Sequence, residues 1–107
     1  GIVNKDTLAA LPKGASIINA ARGPHVVDDD LIAALDSGHI NAATLDVFHV
    51  EPLPANHPYW SHPKVTVTPH MASLTVPSSA ADWMEENVKL IEAGKPPLNT
   101  VDAKKGY

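Results

Sequence analysis

Arg22, Asp46, Glu51 and His70 are of types that together can move a proton beside a bound carboxylate. Arg22 is the only arginine in the chain, and all other basic residues are lysines. A guanidinium offers a planar fork of donors that matches a carboxylate, and it stays charged at any working pH. Histidine is the usual general acid or base near neutrality, and an adjacent carboxylate favours an imidazolium. Arginine, histidine and an acid around a carboxylate-bearing substrate fit proton transfer to a carbonyl oxygen. Each residue also has a plain structural reading. Arg22 fits a partner for a carboxylate or a helix end, and His70, after Thr-Pro, fits a turn histidine that caps a carbonyl. Asp46 fits a helix cap, and Glu51 fits a solvated loop residue. The catalytic reading requires that all four meet.

The elements decide whether they meet. "ASIINA" (15–20) and "AATLDV" (42–47) are short apolar runs that read as buried strands. "KVTVT" (64–68) alternates, is β-branched and reads as a third strand. Residues 4–11 read as a short helix with Asn4 or Asp6 as N-cap and Pro12 after the end. Residues 28–37 read as a helix whose first turn holds Asp28, Asp29 and Asp30, where the helix dipole favours negative charge. Leu31, Ala34 and Leu35 form its apolar face, and Gly38 stops it. A long helix is expected from about Pro77 to Ala93, with Ala80, Trp83, Met84, Val88 and Ile91 as its stripe and Trp83 in the core. Gly94 and the Pro96-Pro97 pair end it, and the tail over 98–107 reads as irregular.

Short apolar strands alternating with helices imply an α/β fold with a parallel sheet of about three strands. Ligands bind at the carboxyl ends of such strands. Arg22 lies just beyond the first, Asp46 at the end of the second and His70 just beyond the third, so a parallel sheet gathers them on one rim. Glu51 lies near the start of "FHVEPLPANHPYWSHP", a segment whose four prolines exclude a regular helix. A loop this long is often functional. Within it Trp60 either plugs the loop onto the core or lines a pocket. His57 and His62 read as loop histidines, and His25, His39 and His49 show no evident partner, although His25 is close enough to Arg22 to line the site.

Composition narrows the function classes. A net charge of −4 gives no basic field for nucleic acid or an anionic membrane. The absence of cysteine removes disulfides and thiolate metal sites, and fits a cytoplasmic protein. No run approaches the length of a membrane span. No metal site is expected, and no G-x-G-x-x-G is present. The chain opens on Gly1, directly before a helix, and three strands make an incomplete sheet. Both point to part of a longer protein. An exposed parallel edge invites pairing with another chain, a further sign of an incomplete domain. A homodimer is the expected assembly.

"INAARGPHVVDDDLIAAL", then "AATLDVFHVEPLP", then "HPKVTVTPHMAS" resemble the D-isomer-specific 2-hydroxyacid dehydrogenases in order and spacing. "PYWSHP" and the "KKGY" ending are most similar to the glyoxylate/hydroxypyruvate reductase branch. The resemblance implies a partial Rossmann-like fold. Residues 1–75 would be the carboxyl-terminal half of the NAD(P)-binding domain, and residues 76–107 the helix and tail that pack back toward a substrate domain. It implies that Arg22 binds and polarises a small 2-oxo acid, that His70 protonates its carbonyl, and that Glu51 pairs with His70. Asp46 would contact the nicotinamide carboxamide, Ala20 and Ala72 would line the nicotinamide, and Arg22 and His70 would border it. The cofactor would be NADP or NAD, with NADPH favoured by the branch. The reaction would move hydride from reduced nicotinamide to C2 of the oxo acid. The chain alone is not expected to turn over. A dinucleotide-sensing corepressor-like module and an inactive folded fragment are the alternatives.

Overall fold

The computed structural model describes residues 1–102 and 104. The elements are α1 (Lys5–Ala9), β1 (Ala15–Asn19), α2 (Asp28–Asp36), β2 (Ile40–Leu45), β3 (Val65–Val67) and α3 (Pro77–Glu92). Single 3-10 turns lie at Gly23–His25 and Pro58–Trp60. All expected elements form, with ends moved by one or two residues. The irregular tail expected over 98–107 falls partly outside the described residues.

Local chemistry sets the helix starts. Asn4 caps α1: its Oδ1 accepts from the amides of Asp6 (3.1 Å) and Thr7 (3.2 Å). Thr7 Oγ1 accepts in return from the Asn4 amide at 2.9 Å, which completes a capping box. No side chain caps α2, and its three aspartates crowd the positive end of the dipole instead. One of them, Asp30, accepts from the Lys5 amide at 2.8 Å and ties α2 to α1. Pro77 opens α3, a position where the missing N–H costs nothing.

The three strands form one parallel sheet in the order β1-β2-β3, as the alternation of strands and helices implies. Register places Asn19 beside Leu45 and Leu45 beside Val67, so the carboxyl ends of all three strands are level. β2 starts at Ile40, earlier than the apolar run implies, because Ile40 pairs with Ala15. It ends at Leu45, where the Asp46 side chain takes up other partners. The core joins Leu8, Val26, Leu31, Leu35, Ile40, Ala43, Leu45 and Tyr59. Leu31 and Leu35 are fully buried, as their spacing on α2 requires, and each contributes about 1.5–3 kcal/mol.

The chain divides into two compact units, Gly1–Ser73 and Leu74 onward. Trp83 departs from expectation: it is 48 % exposed, and α3 has no buried residue. Among the described residues α3 is the only helix or strand of its unit, so the stripe has no second layer there to cover it. No helix among the described residues is long and apolar enough to cross a membrane.

Candidate active site

β1 delivers Arg22. Asn19, nearly buried at the strand end, shapes the turn that follows: its Oδ1 accepts from the Ala21 amide (3.2 Å) and its Nδ2 donates to the Arg22 carbonyl (3.0 Å). This is the local side-chain-to-backbone bonding that asparagine favours after a strand. Ala20 and Arg22 are both exposed on the turn. Arg22 Nη1 donates to the Ala21 carbonyl at 2.6 Å, and the guanidinium forms no ion pair among the described residues. After the hydrogen bond from His70 and that of the Phe48 amide, the Arg22 charge is a further influence that lowers the pKa of the Glu51 carboxyl.

Gly23 follows, and here the backbone approach is close. A Cβ on Gly23 would lie 2.0 Å from the Phe48 carbonyl carbon and 2.4 Å from the His49 nitrogen. Only glycine lets the "RG" turn sit against the start of the loop that carries Glu51. In that loop the Phe48 amide donates to Glu51 Oε1 at 2.8 Å. The Glu51–Pro52 peptide is cis.

β3 delivers His70. Its Nδ1 lies 2.7 Å from Glu51 Oε2, so the two residues expected to pair do pair, 19 positions apart. The Glu51 carboxyl is held below the usual carboxylate range, first by the hydrogen bond from His70 and then by the Phe48 amide. An ionised carboxylate only accepts, so Nδ1 carries the proton of this bond and Nε2 is left for other work. His70 has φ 51°, a left-handed conformation that costs a non-glycine residue about 1–3 kcal/mol and clusters at functional sites.

Asp46 is 4 % exposed. It takes the Thr68 hydroxyl and the Met71 amide (3.0 Å) on Oδ1 and the Ala72 amide (2.9 Å) on Oδ2. These bonds, led by that of Thr68, hold its carboxyl below the usual range. Thr68 and Asn19 are site-forming residues that the sequence reading does not single out. A polar residue bounding a strand run is the available signal for both.

An apolar cavity of about 660 Å³ opens beside the pair, walled by Phe48, Leu53, Trp60 and Val67, with His70 and Glu51 at its edge. Trp60 therefore lines a pocket, with Nε1 donating to the Pro54 carbonyl at 2.9 Å. His25 is exposed and does not line this cavity. The remaining histidines have structural partners that their spacing conceals: His39 meets the Leu8 carbonyl (3.0 Å), His49 the Val26 carbonyl (2.8 Å) and His62 Asp36 (3.2 Å). Asp28 does more than complement the dipole. Its Oδ1 accepts from the buried Tyr59 hydroxyl at 2.9 Å, and His57 and His49 stand 3.7 and 3.9 Å from Oδ2. Burial, then Asp28, pushes the Tyr59 hydroxyl well above its usual range. No group of three or more His, Asp or Glu side chains among the described residues is arranged to hold a metal ion.

Known proteins are similar to this chain in sequence and in fold. Residues 1–72 match the family described as D-isomer specific 2-hydroxyacid dehydrogenase, NAD binding domain. Glyoxylate/hydroxypyruvate reductase A of Serratia proteamaculans is 51% identical over the whole chain, which spans 34% of that relative. The chain thus covers about a third of the length of the curated relatives it matches. A D-isomer specific 2-hydroxyacid dehydrogenase from Xanthobacter autotrophicus Py2, solved with NADPH and MES, is 56% identical with TM-score 0.92, over 100% of this chain and 44% of that one. An NADPH-dependent glyoxylate/hydroxypyruvate reductase from Sinorhizobium meliloti, solved with NADP and sulfate, is 38% identical with TM-score 0.86, over 100% and 35%. These matches place the chain in the D-isomer specific 2-hydroxyacid dehydrogenase family, with residues 1–72 matching its NAD binding domain.

Proposed function

We propose that the protein carrying this chain reduces a small 2-oxo acid of the glyoxylate or hydroxypyruvate kind to the 2-hydroxy acid. The observation that carries this reading is the 2.7 Å His70–Glu51 pair on the same rim as the sole guanidinium. Arg22 holds the substrate carboxylate and steadies negative charge on the carbonyl oxygen. Glu51 fixes the His70 ring through Nδ1, and the proton on Nε2 passes to the carbonyl oxygen. In the reverse direction His70 takes that proton back.

The exposed Ala20 and Ala72 and the buried Asp46 border the position proposed for a nicotinamide, together with Arg22 and His70. Small side chains at Ala20 and Ala72 leave room for a flat ring at the level ends of β1 and β2, so these residues fit the nicotinamide end of the cofactor. When bound, reduced nicotinamide supplies the hydride to C2. NADPH is the proposed form, since the Xanthobacter and Sinorhizobium structures hold NADPH and NADP. The division of labour at residues 75 and 76, a homodimer and a cytoplasmic location belong to the same reading.

The test is direct. The full-length protein is given glyoxylate or hydroxypyruvate with NADPH and, separately, NADH, and loss of nicotinamide absorbance is followed. Turnover with NADPH supports the proposal. No turnover of either acid with either cofactor refutes it.

A further inference from the structure

Arg22 and Glu51 reach the rim on different segments, and one side chain ties those segments together. The turn that follows Arg22 is framed by its neighbours. The Val3 amide donates to the His25 carbonyl and the Val27 amide to the Val3 carbonyl, both at 2.9 Å. The segment that carries Glu51 has no such frame. Among the described residues, no hydrogen bond joins the backbone of positions 48–53 to other backbone. Phe48 and Leu53 pack on the core, but apolar packing is non-directional. The directional link is His49. Its Nε2 lies 2.8 Å from the carbonyl of Val26, a residue 3 % exposed. A carbonyl only accepts, so Nε2 carries the proton of this bond. The Asp28 carboxylate, 3.9 Å from the same nitrogen, favours an N–H pointed this way. The neighbouring Phe48 amide donates to Glu51 Oε1 at 2.8 Å, and Glu51 Oε2 meets His70 Nδ1 at 2.7 Å. Anchor, amide, carboxylate and imidazole thus follow one another in a connected series.

We propose that His49 is a positioning residue: by tying the 48–51 backbone to the framed turn beyond Arg22, it sets where the Glu51 carboxylate meets His70. It acts through Glu51 and not on the substrate. This rests on the roles given to Glu51 and His70 above. Val3 braces the turn and nothing comparable braces the loop, so loss of the link displaces Glu51 rather than Arg22. The cost falls on proton transfer more than on capture of the substrate carboxylate.

His49→Leu removes the donor and keeps most of the bulk. His49→Gln keeps an N–H donor of similar reach. Both are made in the full-length protein, and His49→Leu is also combined with Glu51→Ala. His49→Asn, too short to reach Val26, carries the same test if His49→Leu does not fold. The readouts are kcat and KM for NADPH-linked glyoxylate reduction and a crystal structure of His49→Leu. We expect His49→Leu to lower kcat about three- to tenfold, the scale of one anchoring hydrogen bond written as an equilibrium. KM for glyoxylate stays within about twofold, the mark of an interaction that serves the transition state alone. His49→Gln recovers most of the loss. In the Glu51→Ala background, His49→Leu changes kcat by less than about 1.5-fold, because residues that act in one series are not additive. In the His49→Leu crystal, Glu51 and His70 stand more than about 3.5 Å apart.

A His49→Leu protein with the parent's kcat overturns the proposal. So does one that loses the same factor with and without the Glu51 carboxylate, or one whose crystal keeps the Glu51–His70 contact. If the parent protein reduces no 2-oxo acid, the functional reading fails by itself, and the crystal structure still decides whether His49 holds Glu51 in place.

Discussion

Gly23→Ala adds one methyl group at the tightest backbone approach of any glycine among the described residues. The new Cβ would stand 2.0 Å from the Phe48 carbonyl carbon and 2.2 Å from its oxygen. An ordinary contact begins at about 3.4 Å, so the 48–49 backbone must retreat by about 1.4 Å. That backbone is held from behind by His49 on the Val26 carbonyl and carries Glu51 through the Phe48 amide. Two effects follow. Overpacking against main chain belongs at or above the upper end of the usual range, about 3 kcal/mol or more. Displacing Glu51 by about 1 Å loosens its 2.7 Å bond to His70, and a misplacement of that size costs about a hundredfold in rate. Thermal unfolding followed by circular dichroism should show a midpoint lower by roughly 12 °C or more for a unit of this size. Glyoxylate reduction by the full-length variant should lose about a hundredfold in kcat/KM. A variant that melts within about 2 °C of the parent and keeps its rate would mean that Gly23 does not press on the Glu51 loop.

Other perturbations test separate links. Tyr59→Phe removes the hydroxyl that meets Asp28 and should destabilise by about 1–2 kcal/mol, since Asp28 is partly solvated; an unchanged urea midpoint contradicts this. Asp46 and Glu51 both titrate lower folded than the usual carboxylate range. Their stabilisation is therefore complete above that range and is lost as pH falls through the lowered folded values, where the unfolded chain has already taken up its protons. Acid unfolding of Glu51→Gln should be less steep than that of the parent, and equal steepness would show that the His70 bond contributes nothing to this linkage.

Much of the fold and the rim was legible because short-range rules decide them. Apolar runs at Ala15 and Ala42 and β-branched alternation at Val65 mark strands, and two intervening helical or looped segments leave a parallel arrangement as the simple solution. Once the strands are parallel, the positions of Arg22, Asp46 and His70 follow from counting residues past each strand. Three things were not legible. Trp83 belongs to a stripe whose period identifies an apolar face but says nothing of what covers it. The Asp28–Tyr59 bond joins residues 31 apart, and the path of a proline-rich loop is not set by local propensity. The acidic start of α2 is sufficient for the dipole reading, so nothing in the spacing demands a further partner for Asp28. The inward turn of the Asp46 carboxylate likewise depends on two amides, and an amide pattern leaves no trace in side-chain types.

The central claim is that Arg22 and His70 serve one reacting group. It is tested most directly by measuring kcat/KM for NADPH-linked reduction of glyoxylate in the full-length parent and in its Arg22→Ala and His70→Ala variants. We expect each substitution to lower kcat/KM by about a hundredfold or more, through loss of charge stabilisation in one and of the proton donor in the other. Variants that both match the parent would contradict the assignment of this rim as the active site.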